Sequence, residues 1–369
     1  MAKYDKPVAV LGAGNGGHCM AADLTLQGFK VNLYELPEFA EKFELVRKTK
    51  RIELHGAGKD GTAKLHLATH DLAEAVSEAE IINLTAPAFA HETFFSKMLP
   101  QLRDNHLVVI WAGNFGSLRL AKILREQKNK HRPLIAEVNT LPYGTRLQGP
   151  GKVAVSLLAP SLFVSTMPAK NTGAALKILR NIYPQAQAAD NVLAAALSNP
   201  NPVVHPPASL LNTGRIQYSG GTFCLYIEGI TEAVARVIRQ LYRENETLAE
   251  KLGFEIIRYR EADFQTTSSI MGVAFQAEFD TQGVIGRNFP GPKSIYDRYI
   301  TEDVPCGLVP LSLLGKKYGV KTPIADSMIN IACSVCSQDY WQTGRNLEML
   351  GIDNLSQPEL LRYLQSGQR

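Results

Sequence analysis

Three side chains in the second half of the sequence could together handle a proton and a carboxylate. His205 lies in "NPNPVVHPPASLLN", and Arg298 and Asp303 lie in "RYITEDVPCG". A histidine exchanges protons near neutral pH, an aspartate can fix its tautomer, and an arginine can bind a carboxylate through two parallel hydrogen bonds. Two structural alternatives stay open: His205 as a core residue, and an acidic helix start capped by Thr301 or Asp303.

A glycine-rich stretch near the N-terminus, "VAVLGAGNGGHCMAADL", predicts a dinucleotide site. Its GxGxxG pattern lies between an apolar run and a helical pattern. The first glycine permits a tight turn, the second lets the backbone approach a pyrophosphate, and the third lets helix and strand pack closely. Amides at the start of the helix would face the phosphate charge. The predicted cofactor-binding loop consists of Gly12, Ala13, Gly14, Asn15, Gly16 and Gly17.

An acidic residue follows the second apolar run. Glu35 comes 23 positions after Gly12 (35 − 12), where a carboxylate can accept hydrogen bonds from both ribose hydroxyls of NAD and would repel a 2′-phosphate. NAD is therefore the expected cofactor, and the nearby Lys48 and Arg51 leave NADP open. The alternative is a solvated carboxylate at a helix start, because Pro37 follows closely.

Short apolar runs alternate with helical patterns in the first half of the chain. The predicted strands are "VAVLG", "KVNLYE", "EIINLTA", "HLVVIWAG" and "PLIAEV". Such alternation is typical of a doubly wound, Rossmann-type sheet. Ligands bind at the carboxyl ends of the strands in this fold, so Ala86 and Pro87, which follow the third run, should contact the cofactor. "RIELHG" and "AKLHLAT" should form a small antiparallel excursion.

Strand-like runs disappear beyond Asp190. We therefore expect an α/β dinucleotide-binding domain at residues 1–187 and an all-helical substrate domain at 188–369. Pro206 removes an N–H and disfavours helical geometry at His205, which predicts a helix break there. The Gly- and Pro-rich loop "TQGVIGRNFPGPKS" should interrupt the helices. One long helical stripe, with Gly253 as its C-cap, comprises Ile227, Ile230, Val234, Val237, Leu241 and Leu248.

Composition and cysteine usage narrow the class of protein. The formal net charge is +4 over 369 residues, and no basic run suggests a nucleic-acid partner. Neither a signal-peptide pattern nor an apolar run of about 20 residues occurs, so a cytoplasmic protein without membrane association is expected. Cys333 and Cys336 have CxxC spacing without a second pair, which favours helix residues over a metal site.

The chain resembles the opine dehydrogenases. The likeness is carried by the glycine-rich start and by "NPNPVVHPPASLLN", "YIEGIT", "RYITEDVPCGLVPLSLLG" and "GRNLEMLG", in this order. The family implies NAD(P)H-dependent condensation of an α-keto acid, often pyruvate, with the amino group of an amino acid through imine reduction. It also implies a helical domain like the C-terminal domain of 6-phosphogluconate dehydrogenase. Relatives include monomers and dimers, so a homodimer is an open expectation.

The resemblance also assigns roles to residues. His205 matches the catalytic histidine, Asp303 its carboxylate partner, and Arg298 the arginine that anchors the keto-acid carboxylate. Glu137 in "AEVNTLPYGTR" matches an acidic position near the amino-acid substrate. Alternatively, Glu137 pairs with Arg146 or a backbone amide.

Two other functions fit the two-domain architecture. The first is a keto-acid reductase or hydroxy-acid dehydrogenase of the ketopantoate reductase or glycerol-3-phosphate dehydrogenase type. Those enzymes usually rely on a catalytic lysine, and Lys251, Lys316 and Lys317 lie at predicted helix ends rather than in a polar cluster. The second is a non-catalytic NAD-binding regulator, in which His205, Arg298 and Asp303 would be structural.

Overall fold

A computed structural model describes residues 5–258 and 291–369 of the chain. The chain divides into two compact units, Met1–Ala188 and Ala189–Arg369. Most of the predicted loop "TQGVIGRNFPGPKS" (281–294) lies outside the described residues.

The first unit is built on short strands, of which β1, β2, β6 and β7 are completely buried. All four residues of β1 are apolar and buried, as expected for a parallel strand that is covered on both faces. The strands are β1 (Val8–Leu11), β2 (Val31–Tyr34), β3 (Arg51–Gly56), β4 (Gly61–Lys64), β5 (Leu67–Thr69), β6 (Ile81–Leu84), β7 (Leu107–Trp111), β8 (Leu134–Val138), β9 (Tyr143–Gly149), β10 (Lys152–Leu158), β11 (Leu162–Thr166) and β12 (Ala186–Ala188).

These strands form two sheets. The larger has the order β12-β11-β8-β7-β6-β1-β2-β5, and the smaller has the order β4-β3-β10-β9. In the larger sheet β1 pairs in parallel with both β2 and β6, so the chain reverses its direction of travel beside β1. Ligands of doubly wound sheets bind at this switch point, beyond the carboxyl ends of the strands.

The predicted antiparallel excursion is only partly right. β3 and β4 do pair antiparallel, with Arg51 opposite Lys64. The end of "AKLHLAT", however, forms β5 and pairs in parallel with β2 at the edge of the larger sheet. β3 also pairs in parallel with β10, so the excursion is part of a four-stranded sheet rather than an isolated hairpin.

Helices cover the larger sheet of the first unit. β1, β6 and β7 share one hydrophobic core with the third to fifth helices through residues such as Leu84, Phe95, Ile110 and Leu120. The helices are α1 (Asn15–Leu26), α2 (Ala40–Thr49), α3 (Leu72–Val76), α4 (His91–Met98), α5 (Gly116–Glu126) and α6 (Thr172–Leu179).

The described residues of the second unit form helices and no strand, as predicted. Two π-helical turns, Leu225–Gly229 and Val304–Leu308, interrupt the α-helices. The helices are α7 (Val192–Leu197), α8 (Asn201–Leu210), α9 (Thr213–Ser219), α10 (Glu232–Leu252), α11 (Arg298–Thr301), α12 (Val309–Tyr318), α13 (Pro323–Cys336), α14 (Tyr340–Thr343), α15 (Leu347–Leu350) and α16 (Gln357–Ser366).

The predicted helical stripe needs a correction at its N-terminal end. α10 begins after Thr231, so Ile230 precedes the helix. Ile238, rather than Val237, is the fully buried residue of that turn. The C-cap is confirmed, because Gly253 adopts a left-handed conformation with φ of 85°.

The predicted helix break at His205 is wrong. α8 continues through His205, Pro206 and Pro207 to Leu210. The φ angle of proline is itself compatible with a helix, and the cost of its missing hydrogen bond can be offset by packing. Every residue from Pro202 to Leu210 is buried. Tertiary packing therefore keeps the helix continuous where the local rule predicts a break.

Candidate active site

The glycine-rich turn connects β1 to α1, and each of its glycines has a different surrounding. Gly12 has φ of +95°, and a Cβ there would lie 3.1 Å from the backbone nitrogen of Ala86. A Cβ on Gly17 would lie 1.7 Å from the carbonyl oxygen of Gly12. A Cβ on Gly14 would meet nothing within 4 Å. Gly12 and Gly17 are therefore required by the protein itself, whereas the space beside Gly14 is open.

Side chains around the turn hold its backbone in place. The hydroxyl of Thr85 donates to the carbonyl oxygen of Gly12 at 2.9 Å. The side-chain oxygen of Asn15 accepts the backbone N–H of Leu147 at 2.9 Å. Gly16 packs against Leu141, where a Cβ would approach to 2.9 Å. Asn15 and Gly16 therefore serve the packing of the turn, and Thr85 is a supporting residue that the sequence pattern did not reveal.

The residues of the turn fit an NAD(P) pyrophosphate. Gly14 is the N-cap of the 12-residue α1. As a glycine it has no side chain that could cap the amides at the start of the helix. A helix N-terminus attracts an anion through its unpaired amides and its dipole. The open space beside Gly14 lies at this N-terminus, so a phosphate can approach the backbone there.

Glu35 lies at the end of β2 and contacts the turn directly. Its two carboxylate oxygens accept the backbone N–H of Ala13 and of Leu36, both at 2.7 Å. Burial raises the pKa of Glu35, and the two backbone hydrogen bonds oppose that shift. In this structure Glu35 braces the loop. A ribose contact stays a prediction, which is compatible with the bracing role because each carboxylate oxygen can accept a second hydrogen bond.

Ala86 and Pro87 follow β6 on the other side of the switch point. Ala86 lies against Gly12, as the 3.1 Å approach shows. Pro87 is the N-cap of a 3₁₀ turn at Ala88–Ala90. The structure thus brings Ala86 beside the glycine-rich turn, and Pro87 follows it in the chain. A cofactor contact of either residue stays a prediction.

Glu137 lies at 0% exposure near the end of β8. Its carboxylate accepts the backbone N–H of Phe115 at 2.6 Å and of Ser117 at 2.9 Å, and it also accepts the Ser117 hydroxyl. These donors lie at the start of α5, where Phe115 has a left-handed φ of 68°. The backbone-amide alternative is therefore realised. A contact with the amino-acid substrate stays a prediction.

His205 lies at the centre of a buried polar cluster in the second unit. Its Nδ1 lies 2.8 Å from Oδ2 of Asp303, and its Nε2 lies 3.0 Å from the hydroxyl of Tyr226. The imidazole stacks on the ring of Tyr299, with centroids 3.9 Å apart and planes inclined by 21°. His205 and Asp303 are 6% and 3% exposed. The structure thus joins the predicted pair and encloses it with two aromatic rings.

Three separate segments supply this cluster. His205 comes from α8, Tyr226 from the first π-helical turn, and Tyr299 and Asp303 from α11 and its C-terminal end. Sequence reasoning missed both tyrosines. They lie in "YIEGIT" and "RYITEDV", two of the segments that carried the family resemblance, so a signal for both tyrosines was present in the sequence.

Arg298 begins α11, after Asp297 caps the helix by accepting the backbone N–H of Tyr299 at 3.2 Å. The guanidinium lies 3.3 Å from Oε2 of Glu302, one helical turn along, and the Arg298 side chain is 42% exposed. An exposed guanidinium can bind a second carboxylate through its remaining donors. The alternative of a solvated helix start capped by Thr301 or Asp303 is not realised, because Asp303 is 3% exposed and makes no side-chain capping hydrogen bond to the π-helical turn Val304–Leu308 that follows it.

Burial raises the pKa of Asp303 to about 8, against the positive charge of Arg298, which lowers it. Because Asp303 lies 2.8 Å from Nδ1 of His205, a proton held by this carboxyl group can pass to the imidazole. The pair can therefore store a proton and release it through Nε2.

The described residues contain no group of three or more metal-binding side chains. Cys336 is buried in α13, and Cys333 is partly buried in the same helix, consistent with the predicted helical role of the CxxC pair. Within the described ranges, none of the helices has the length and apolar character needed to cross a membrane.

Both units match known sequence families. Residues 188–336 match the family described as "NAD/NADP octopine/nopaline dehydrogenase, alpha-helical domain". Residues 7–138 match "NAD-dependent glycerol-3-phosphate dehydrogenase N-terminus". These matches confirm the predicted dinucleotide cofactor and the order of a Rossmann-type domain followed by a helical one.

The similarity to one curated relative extends over nearly the whole chain. The opine dehydrogenase of Arthrobacter sp. (strain 1C) is 33% identical over 356 residues, which cover 95% of this chain and 96% of the relative. A structure of octopine dehydrogenase with NADH and agmatine superposes with a TM-score of 0.70 at 20% identity, over 98% of both chains. Another, named with NADH and pyruvate, has a TM-score of 0.69 at 20% identity and the same coverage. The fold prediction is thus confirmed. The chain therefore belongs to the opine dehydrogenase family, and it is an NAD(P)H-dependent oxidoreductase acting on CH–NH donors.

Proposed function

We propose that the cluster around His205 is the catalytic centre of an opine dehydrogenase that joins an α-keto acid, such as pyruvate, to the amino group of an amino acid. The amine displaces the keto oxygen as water to give an imine. Addition of a hydride to the imine carbon and of a proton to its nitrogen then gives a secondary amine. NAD(P)H supplies the hydride for that reduction when it is bound.

The observation that carries the proposal is the buried contact between His205 and Asp303. Oδ2 of Asp303 lies 2.8 Å from Nδ1 of His205 and is its hydrogen-bond partner. Nε2 is therefore the nitrogen that exchanges a proton. General acid catalysis requires a group that holds a proton near neutral pH. The His205–Asp303 pair does so, because burial raises the pKa of Asp303. His205 is the source of the proton that the keto oxygen needs in order to leave as water.

Arg298 is the proposed anchor for the keto acid. Its side chain is 42% exposed and is held by Glu302 on one side. A planar guanidinium presents five donors, so the ion pair with Glu302 leaves donors for a substrate carboxylate. Binding the carboxylate at Arg298 would fix the keto group relative to His205.

The glycine-rich turn is the proposed cofactor site of the same enzyme. Gly14 would admit the pyrophosphate at the start of α1, and Glu35, which contacts the turn through the backbone N–H of Ala13, would accept hydrogen bonds from the ribose. NAD stays the expected cofactor, with NADP open. A cytoplasmic location and a homodimer also stay predictions.

The test is NADH consumption with a keto acid and a panel of amino acids. We expect oxidation only when pyruvate and a suitable amino acid are both present, because the reducible imine needs both. Oxidation with pyruvate alone would instead indicate a keto-acid reductase, and NADH binding without turnover would indicate a regulator. Repeating the assay with NADPH measures the cofactor preference.

A further inference from the structure

We propose that Tyr226 relays the proton between Nε2 of His205 and the reacting substrate, so that the catalytic acid is a chain of Tyr226, His205 and Asp303. The inference rests on the proposed function and extends it by one catalytic residue.

Both ring nitrogens of His205 have a hydrogen-bond partner. Nδ1 contacts Asp303 at 2.8 Å, and Nε2 contacts the Tyr226 hydroxyl at 3.0 Å. Tyr226 is 7% exposed, and its ring stands edge-on to the imidazole at a centroid distance of 6.4 Å. The stacked ring of Tyr299 covers one face of the imidazole. The proton that leaves Nε2 in this arrangement passes to the Tyr226 oxygen.

A charged pair fixes the turn that carries Tyr226. Tyr226 lies in the π-helical turn Leu225–Gly229, and such turns are frequent at functional sites. Glu228 closes the turn by accepting the backbone N–H of Cys224 at 2.9 Å. Its other carboxylate oxygen accepts a hydrogen bond from Arg215 at 2.9 Å.

The C-terminal end of this turn is fixed as well. The side-chain amide of Asn212 donates to the carbonyl oxygen of Gly229 at 2.9 Å. A Cβ on Gly229 would lie 2.7 Å from Cζ of Phe223, so the turn packs tightly against that ring. With both ends anchored, the tyrosine hydroxyl is held at the histidine rather than placed there by a mobile loop.

A tyrosine hydroxyl can carry out the relay without changing its own charge. It donates one hydrogen bond and accepts others. The forward step starts with the proton of the His205–Asp303 pair on the imidazole. The Nε2–H bond of His205 breaks, Nδ1 keeps its hydrogen, and a new O–H bond forms on Tyr226. The original O–H bond of Tyr226 breaks at the same time, and its proton goes to the departing substrate oxygen. One proton is transferred in total, and Tyr226 is neutral before and after.

The charged groups near the imidazole of His205 are compatible with a proton relay through Tyr226. α11 and the residues on either side of it contribute Asp297, Arg298, Glu302 and Asp303. Arg298 lowers the pKa of Asp303, and Asp297 raises it. On the turn of Tyr226 itself, Glu228 is bound to Arg215, so its charge is compensated.

The first experiment replaces Tyr226 by phenylalanine, which removes only the hydroxyl. We expect kcat to fall by about 10- to 100-fold, with KM for both substrates changed by less than about twofold, because the relay acts in the chemical step. NADH affinity and the melting temperature should stay at wild-type values. The matched control is Tyr218→Phe, which alters a tyrosine that is 90% exposed and should leave kcat unchanged.

A second measurement begins with the wild-type protein, so its first result does not depend on any variant folding. Single-turnover oxidation of bound NADH is followed in mixtures of H₂O and D₂O. Two protons move together in a relay, so the rate should depend quadratically on the deuterium fraction. In Tyr226→Phe, where a single proton remains in transfer, the dependence should become linear.

The outcomes separate this inference from the proposed function. If wild-type protein fails to oxidise NADH with both substrates, the proposed function fails. If it succeeds, but Tyr226→Phe keeps the wild-type kcat or the wild-type rate is linear in deuterium, the relay alone is overturned. A quadratic dependence that Tyr226→Phe converts to a linear one supports the relay.

Discussion

The glycine-rich turn of the first unit and the histidine cluster of the second are constructed in opposite ways. The turn depends on glycines, which have no side chain. Gly12 and Gly17 let backbone segments approach closely, and Gly14 leaves open space. The cluster works through side chains that burial brings together, with His205, Asp303, Tyr226 and Tyr299 all less than 9% exposed. In our proposal, the first region recognises an anion with fixed backbone dipoles, and the second raises the proton affinity of a carboxyl group by removing it from water.

The strongest test of the backbone side of this comparison is Gly17→Ala. The added Cβ would lie 1.7 Å from the carbonyl oxygen of Gly12, so β1 and α1 cannot keep their packing. We expect a loss of stability of roughly 2–5 kcal/mol and loss of measurable NADH binding. The melting temperature and NADH fluorescence titration measure the two effects.

The matched control for this substitution is Gly14→Ala, where the added Cβ meets nothing within 4 Å. Its melting temperature should equal that of wild type, while NADH binding weakens by roughly tenfold or more because the pyrophosphate needs that space. Equal NADH affinity in Gly14→Ala and wild type would contradict the assigned position of the phosphate.

The side-chain region is tested next by His205→Asn, which keeps a polar group and removes the exchangeable proton. We expect kcat to fall by roughly 10²- to 10⁴-fold at unchanged NADH affinity, since the turn of the first unit is untouched. The control is His131→Asn, because that histidine pairs with Asp104 on the surface of the first unit. Turnover near the wild-type rate in His205→Asn would remove this histidine from the mechanism.

A smaller effect is expected in the pH dependence of stability. The pKa of Asp303 is raised to about 8 in the folded chain. A raised pKa means that the folded state holds a proton that the unfolded state releases near pH 4. The stabilisation from this group is therefore fully present below about pH 4 and is lost as the pH rises through about 8.

Asp303→Asn removes this titration. Urea unfolding at about pH 5 and about pH 9 should show that the wild type loses more stability with rising pH than the variant does. If wild type and Asp303→Asn lose the same stability over this range, the buried carboxyl does not titrate as described.

The same comparison explains which features could be predicted from the sequence. The GxGxxG turn depends on residues within six positions of one another, so its pattern can be recognised in the sequence alone. His205 and Asp303 are 98 positions apart. Their partnership was predicted from the family resemblance, because no local rule connects such distant positions.

Features that depend on tertiary packing were missed or mispredicted. The rule for Pro206 considers one residue and its neighbours, whereas the burial of α8 on all sides decided the outcome. The role of Tyr226 depends on a π-helical turn that has no recognised sequence pattern. The hydrogen bonds of Glu137 depend on the left-handed backbone at Phe115. Non-glycine residues rarely adopt that conformation, so the sequence does not predict it.

The most direct test of the central claim is to follow the hydride into the product. The protein would be incubated with NADH deuterated at the transferred position, pyruvate and the amino acid that gives the fastest oxidation. We predict a secondary amine dicarboxylate with one deuterium on the carbon derived from the keto group, bonded to the amino-acid nitrogen. Deuterium in lactate, with no product joining carbon and nitrogen, would contradict the account.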